Sequence, residues 1–247
     1  MKTSNKSMEL DISKVSLSKF DIKRGLTLPT HISNPLAEDI GIMIGDGHIG
    51  LYTEDKKEYA IYVSGNATKE KSYISNHVNI LKKQLYNLDF PVSQVKKNEI
   101  RIKICSKGLV EFYHKTIGLP VNKKGDIGIP KIIWSNKEYI ASCLRGIMDT
   151  DFGLCFKKTE KYPVFQLKTS SNKLVNDCKK AFKILGIKAN IYENRREFHK
   201  ITKNYFITNY LFINGRNNLE KYIKIIGSNS ERINKIIKKN MGPRGHS

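Results

Sequence analysis

Apolar residues are densest between Leu36 and Gly47, where the chain reads Leu-Ala-Glu-Asp-Ile-Gly-Ile-Met-Ile-Gly-Asp-Gly. This predicts a helix that runs to Asp46 and is ended by Gly47. Ser33 or Asn34 can cap it, and Pro35 suits its first turn. Two strand-like runs follow, Ile49 to Thr53 and Tyr59 to Ser64, joined by a charged turn. A helix is expected from Thr68, because Ile74, Val78, Leu81, Leu85 and Leu88 recur on one face until Phe90-Pro91 stops it. A second hairpin pairs Val92 to Lys96 with Glu99 to Cys105. Its return strand alternates cleanly, with Ile100, Ile102 and Ile104 on one side and Arg101 and Lys103 on the other. A helix from Ser106 to Ile117 ends at Gly118.

After a connector, Val121 to Ser135, rich in lysine, glycine and proline, the same order returns. A helix is expected from about Asn136 to Asp151. A hairpin follows, Leu154 to Lys158 with Val164 to Thr169. The next helix starts near Ser171, with Leu174, Val175, Cys178, Phe182 and Leu185 on its apolar face. Strands Ala189 to Glu193 and Phe206 to Ile213 flank a basic, mobile loop, 194–204. Helices close the chain at 217–226 and 231–239. Each repeat is thus helix, hairpin, helix, hairpin, helix, an α+β unit with antiparallel strands. The first helix of each unit needs a partner, and the other copy can supply it. The expectation is two αββαββα repeats related by a pseudo-two-fold axis, with two four-stranded sheets side by side forming a saddle. The repeats are placed at 35–125 and 126–240, behind an extension, 1–34, that begins polar and flexible.

The two leading helices share more than their apolarity. Gly41 and Gly45 in the first correspond to Gly146 and Thr150 in the second, 105 residues on. Small residues four apart lie on one helix face and let two backbones approach. Asp46 and Asp151 stand at the two C-terminal ends, where the helix dipole is unfavourable to a carboxylate. Packed side by side, the helices would bring both acids together, an arrangement relieved by a divalent cation.

Charge narrows the choice of partner. The 247 residues contain 44 Lys and Arg against 23 Asp and Glu, a formal charge of +21, which calls for a polyanion, most simply nucleic acid. No run approaches the roughly 20 apolar residues of a membrane span, and there is no signal core, so an intracellular protein that is not secreted is expected. Cys105, Cys143, Cys155 and Cys178 form no CxxC pair and read as reduced core thiols. A basic sheet face suits a DNA major groove. The candidate contacts are Tyr62, Ser64, Arg101 and Lys103 in the first repeat and Lys157, Gln166, Lys168 and Arg195 in the second.

With Asp39 to Gly47 and Leu144 to Phe152 aligned to its nine-letter signature, the chain resembles the single-chain, two-motif LAGLIDADG homing endonucleases. Ile44 replaces the first aspartate of the signature, and Phe152 its final glycine. The resemblance, which covers roughly residues 26 to 240, implies that Asp46 and Asp151 bind Mg²⁺, one acid serving each DNA strand. Mn²⁺ or Ca²⁺ would be able to substitute in binding, and Gly45 and Thr150 join the metal site. It implies a catalytic lysine in the segment 118–130, either Lys124 or Lys123, and a counterpart at Lys235. Asn66, Thr169 or Ser170, and also His48, could lie near the attacking water. The implied activity is metal-dependent, site-specific cleavage of a long double-stranded DNA target by a monomer that needs no protein partner. The absence of an intein-type Cys or Ser at the start suggests a free-standing chain. Two alternatives use the same scaffold: an RNA-binding intron maturase, and a DNA-binding protein without catalysis.

Overall fold

The computed structural model describes residues 8–52, 58–155, 164–199 and 202–241. Helix α1 is Lys19–Lys23 and α2 is Asn34–Ile44, followed by strands β1 (Gly47–Tyr52) and β2 (Glu58–Asn66). A π-helical stretch, Tyr73–Val78, leads into α3 (Asn79–Tyr86), and then come β3 (Val92–Lys96), β4 (Glu99–Cys105) and α4 (Lys107–Glu111). The second half contains α5 (Lys137–Asp151), β5 (Phe152–Cys155), β6 (Val164–Thr169), α6 (Asn172–Ile184), β7 (Asn190–His199), β8 (Asn204–Ile213), α7 (Arg216–Ile225) and α8 (Glu231–Met241). The strands form two antiparallel sheets of four, ordered β1-β2-β4-β3 and β5-β6-β8-β7. This is the expected pair of α+β repeats.

Helices α2 and α5 pack against each other at the centre of the molecule, and their apolar faces belong to one continuous core. The small residues decide how closely they approach. A Cβ on Gly146 would meet the backbone N of Ile42 at 2.7 Å and the carbonyl carbon of Gly41 at 2.9 Å. A Cβ on Gly41 would collide with the carbonyl group of Cys143. Alanine at either position must push two backbones apart. Gly146→Ala is expected to cost about 1–3 kcal/mol, the usual range for overpacking, despite alanine's better helix propensity. Urea denaturation of the variant and the parent checks this.

Three features depart from the sequence expectation. Helix α2 stops at Ile44, so Asp46 stands in the turn before β1 and not in the helix itself. The segment expected as a mobile loop after Asn194 is largely strand: Arg195 to His199 pair with Thr208 to Asn204, beyond a bulge that begins after Tyr192. Of the extension, residues 8–33 pack onto the first repeat, Ser16 N donating to Glu111 and Thr116 Oγ1 to Asp11 O. There the buried Asp21 carboxylate accepts from Ser106 Oγ at 2.6 Å and Gly108 N at 3.0 Å, capping the start of α4. Of the cysteines, Cys143 and Cys178 are buried thiols as expected, whereas Cys105 is exposed. The side chain of Cys155 lies outside the described residues.

The first repeat also hides an ionic cluster. Asp39, Lys82, Tyr86 and Tyr113 are all fully buried. Lys82 Nζ donates to Asp39 Oδ1 at 2.6 Å, Tyr86 OH donates to Asp39 Oδ2 at 2.7 Å, and Tyr113 OH donates to the same oxygen.

Candidate functional site

The meeting of α2 and α5 also sets the geometry of the acids. A Cβ added to Gly45 would lie 3.4 Å from the carboxyl carbon of Asp151, as well as striking Thr150. Gly45 therefore leaves room for the Asp151 carboxylate beside the turn that carries Asp46. Burial and the neighbouring charges of Asp151 and Glu70 push the Asp46 carboxyl up to about 7, against the pull of Lys124 and Arg232. Burial pushes Asp151 up to about 6, with Lys124 opposing. Two buried carboxyls with raised pKa values at adjoining helix ends make this the candidate functional site.

Lys124 enters this site because the connector is pinned at both ends. Asn122 behaves as an extra strand residue beside β1: its N–H donates to Ile49 O at 2.7 Å, and its side chain both accepts from Leu51 N and donates to Leu51 O at 2.9 Å. Four residues on, Asp126 Oδ1 accepts from Ser171 Oγ and Lys173 N, both at 2.9 Å, fastening the connector to the start of α6. The Lys124 ammonium between them donates to Ile44 O at 2.8 Å and to Gly45 O, the open carbonyls at the end of α2. Burial pulls its pKa down, and the charges of Asp151 and Asp46 hold it up. The reserve choice, Lys123, has no such contact with the acids' turn among the interactions described. The Gly45 carbonyl, expected in the metal site, is engaged by Lys124. The Thr150 hydroxyl donates within its own helix, to Gly146 O at 2.8 Å.

The structure places the expected counterpart lysine of the second repeat away from the acids. The Lys235 side chain is 79% exposed on α8 and pairs with Glu231 of its own helix at 3.5 Å. The cation that reaches the acids from α8 is Arg232, whose charge lowers the Asp46 pKa and which pairs with Glu70 at 3.4 Å. Ser72 Oγ donates to Glu231 at 2.6 Å and so clamps α8 across to the first repeat. His48 stacks on Tyr62 with ring centroids 4.5 Å apart, and burial, Lys124 and Arg101 lower its pKa. Among the described residues, the buried His48 Nε2 and Arg232 Nε have no hydrogen-bond partner. Asn66 and Thr169 cap local turns instead, Asn66 Oδ1 accepting from Thr68 N at 3.0 Å and Thr169 Oγ1 from Ser171 N at 3.1 Å. Ser170 is likewise a turn residue, its carbonyl accepting from Asn209 at 3.2 Å.

Among the described residues no three or more His, Cys, Asp or Glu side chains converge on a metal position. Two carboxylates nonetheless fit a hard cation such as Mg²⁺, which keeps several waters and commonly takes only one or two carboxylates from the protein.

The sheet faces beside the acids carry the expected polar side chains. Tyr62, Ser64, Arg101 and Lys103 project from the side opposite the buried Ile61, Val63, Ile100, Ile102 and Ile104. Tyr62 pairs with Lys103 and Ser64 with Arg101 across β2 and β4. In the second sheet Gln166 and Lys168 alternate with buried Phe165 and Leu167, and Arg195 pairs with Thr208. Lys157 lies outside the described residues. Aromatic rings, missed at the sequence level, share the second face. Lys168 Nζ lies 5.6 Å from the ring centre of Tyr210, and Arg195 5.5 Å from that of Tyr192. The sign of them was visible as Tyr192, Tyr210 and Phe212 at alternating strand positions.

The family model of the LAGLIDADG-like domain matches residues 138–227. Over 217 residues, 84% of the chain, the sequence is 24% identical to a glutamine–fructose-6-phosphate aminotransferase (isomerizing) of Methanocaldococcus jannaschii, and it spans only 18% of that protein. The crystal structure of I-DmoI with DNA and Mn is 16% identical, with a TM-score of 0.54 over 78% of this chain and 96% of that one. I-DmoI with DNA and Ca gives 16% identity and a TM-score of 0.53 over 86% and 94%. The meganuclease I-SmaMI bound to uncleavable DNA gives 11% and 0.53 over 85% and 88%. No helix among the described residues is long and apolar enough to cross a membrane. Residues 138–227 therefore match a LAGLIDADG-like domain, and over 78–86% of its length the chain shares the fold of the LAGLIDADG homing endonucleases.

Proposed function

We propose that the chain is a metal-dependent, site-specific double-strand DNA endonuclease of the homing type, acting as a monomer on a long duplex. The observation that carries this reading is the placement of Asp46 and Asp151 at the ends of two abutting helices, with Lys124 between them. The repeats, 35–125 and 126–240, would each present one sheet to one half of the target. I-DmoI and I-SmaMI were crystallised with DNA, and I-DmoI with Mn or Ca.

Asp46 and Asp151 would hold Mg²⁺, with Mn²⁺ or Ca²⁺ able to replace it in binding. A bound ion would supply charge neutralisation at the phosphate and a more acidic water. The chain's own residues do the rest. Burial keeps the acids dry enough for their charges to act strongly. Lys124, anchored on the carbonyls of Ile44 and Gly45, can donate to a phosphate oxygen or orient the attacking water. Arg232, steered by Glu70, takes the matching place from the second repeat. In the hydrolysis the water oxygen bonds to phosphorus, the bond from phosphorus to the leaving sugar oxygen breaks, and that oxygen accepts a proton.

Lys124→Met is expected to lower the single-turnover cleavage rate about 100-fold or more, the range of a lost proton-transfer or positioning group. Duplex affinity, carried by the sheets, should change little. Quench-flow cleavage paired with a binding titration measures both.

A second reading, an RNA-binding maturase, is favoured by one feature. On the projecting β7–β8 hairpin Phe198 and Tyr205 are exposed, 5.2 Å apart, and the Arg196 guanidinium lies 4.1 Å from the Tyr205 ring centre. Such rings stack on unpaired bases. Competition between a random duplex pool and structured RNA, in Ca²⁺, separates the two. Retention of one long duplex family supports the nuclease, and selective retention of RNA contradicts it.

A further inference from the structure

The cationic faces of the two sheets also hold carboxylates, each next to a cation. Lys103 is paired with Glu58, Arg101 Nη2 lies 2.6 Å from Glu99, and Lys168 Nζ lies 2.7 Å from Glu197. Glu99 also accepts from Ser64 Oγ at 3.2 Å, and Glu197 accepts from the Tyr210 hydroxyl. In a chain with 44 basic and 23 acidic residues, acids paired with cations on the faces proposed to meet DNA need a reason.

A carboxylate facing phosphates would oppose binding. These cations, however, stand on β4 and β6, strands with neighbours on both sides, so they face the floor of a groove rather than its phosphate rims. On that floor guanine presents two acceptors and cytosine a single amino donor. A cation beside a carboxylate therefore matches both halves of one G·C pair. Arg101 is also held in place, its guanidinium 4.2 Å from the ring centre of Tyr62, which in turn stacks on His48.

Resting on the duplex reading above, we infer that Glu58, Glu99 and Glu197 determine sequence specificity. Each accepts from the cytosine amino group of a G·C pair whose guanine is taken by its neighbour, Lys103, Arg101 or Lys168. Strand register orders the first two. Arg101 pairs with Ser64 at the Asp46 end of the sheet, whereas Glu58 pairs with Tyr52 at the other end. The Glu99–Arg101 pair thus reads nearer the cut than the Glu58–Lys103 pair.

The test is to sequence duplexes enriched from a randomised pool by the full chain and by E58Q, E99Q and E197Q. The parent should prefer G·C at three positions, cytosine being favoured about 5- to 150-fold over the alternatives. Each variant should lose that preference at one position and shift it toward adenine, which glutamine reads, leaving the other two unchanged. If the carboxylates only pin their cations, the variants would bind more or less tightly with unaltered base preference. That result, or A·T at these positions in the parent, overturns the inference and leaves the duplex reading intact. Failure of the parent to enrich any duplex overturns both.

Discussion

On the proposed reading, Asp46→Asn or Asp151→Asn is expected to abolish double-strand cleavage and, at the same time, to make the folded protein more stable at alkaline pH. Losing a carboxylate that would hold the proposed cation is expected to remove several kcal/mol of transition-state stabilisation, about 10³-fold or more in rate. The stability gain follows from linkage. The Asp46 carboxyl is raised to about 7 and Asp151 to about 6, mainly by burial, against about 3.9 in the unfolded chain. Between those values the folded state binds more protons than the unfolded state. Stability attributable to these groups is therefore full near pH 4 and falls as pH rises through about 7. At pH 8 asparagine, which need not ionise, should relieve about 2–4 kcal/mol. Near pH 4 the variants and the parent should converge. A divalent cation should raise the parent's stability at pH 8 and leave the double variant unmoved. Urea titrations at pH 4.5 and 8, with and without Mg²⁺, together with a plasmid cleavage assay, measure all of this. An inactive but alkali-destabilised Asp46→Asn protein would contradict the account.

Lys82→Met is expected to destabilise the fold by about 3–5 kcal/mol, because it strands the Asp39 carboxylate in a dry core. Asp39 is fully buried and its ring of donors is Lys82, Tyr86 and Tyr113. In the second repeat the matching helix position is Leu144, also buried and apolar. The charged solution is thus one repeat's own, not a demand of the helix pair. Asp39→Leu added to Lys82→Met should recover at least half of the loss, since removing both ions restores a neutral core. Tyr86 OH can still donate to Tyr113 OH, 2.8 Å away. Urea midpoints of both singles and the double form the thermodynamic cycle. Equal, additive losses would show that the ions are not coupled.

What was legible in the sequence was what burial imposes locally. The α2 and α5 helices, the β4 alternation of Ile100, Ile102 and Ile104, and the small residues at Gly41 and Gly146 all face a core, so their spacing survives as a pattern. The adjacency of Asp46 and Asp151 followed from the same spacing. Lys124 was found through resemblance alone, since Asn122, which fixes its place, is an ordinary loop asparagine until its bonds to Ile49 and Leu51 are seen. The outer part of the β7–β8 hairpin, expected as a loop, was missed because it lies past the core. Phe198 and Tyr205 are exposed there, so no buried face imposed an alternation. Which of Lys235 and Arg232 lies nearer the acids was not legible, because the two lie three residues apart on one basic helix and the one that points inward depends on the rotation of α8. The Asp39–Lys82 pair joins residues 43 apart, a distance at which no local pattern speaks.

The most direct measurement is sequencing of the ends cut from a randomised duplex pool in Mg²⁺ by the parent chain, with the Asp46→Asn, Asp151→Asn double variant as the blank. The account predicts one long site, cut in both strands by the parent and left whole by the variant. Equal cutting by both proteins, or no enriched site with the parent, would contradict it.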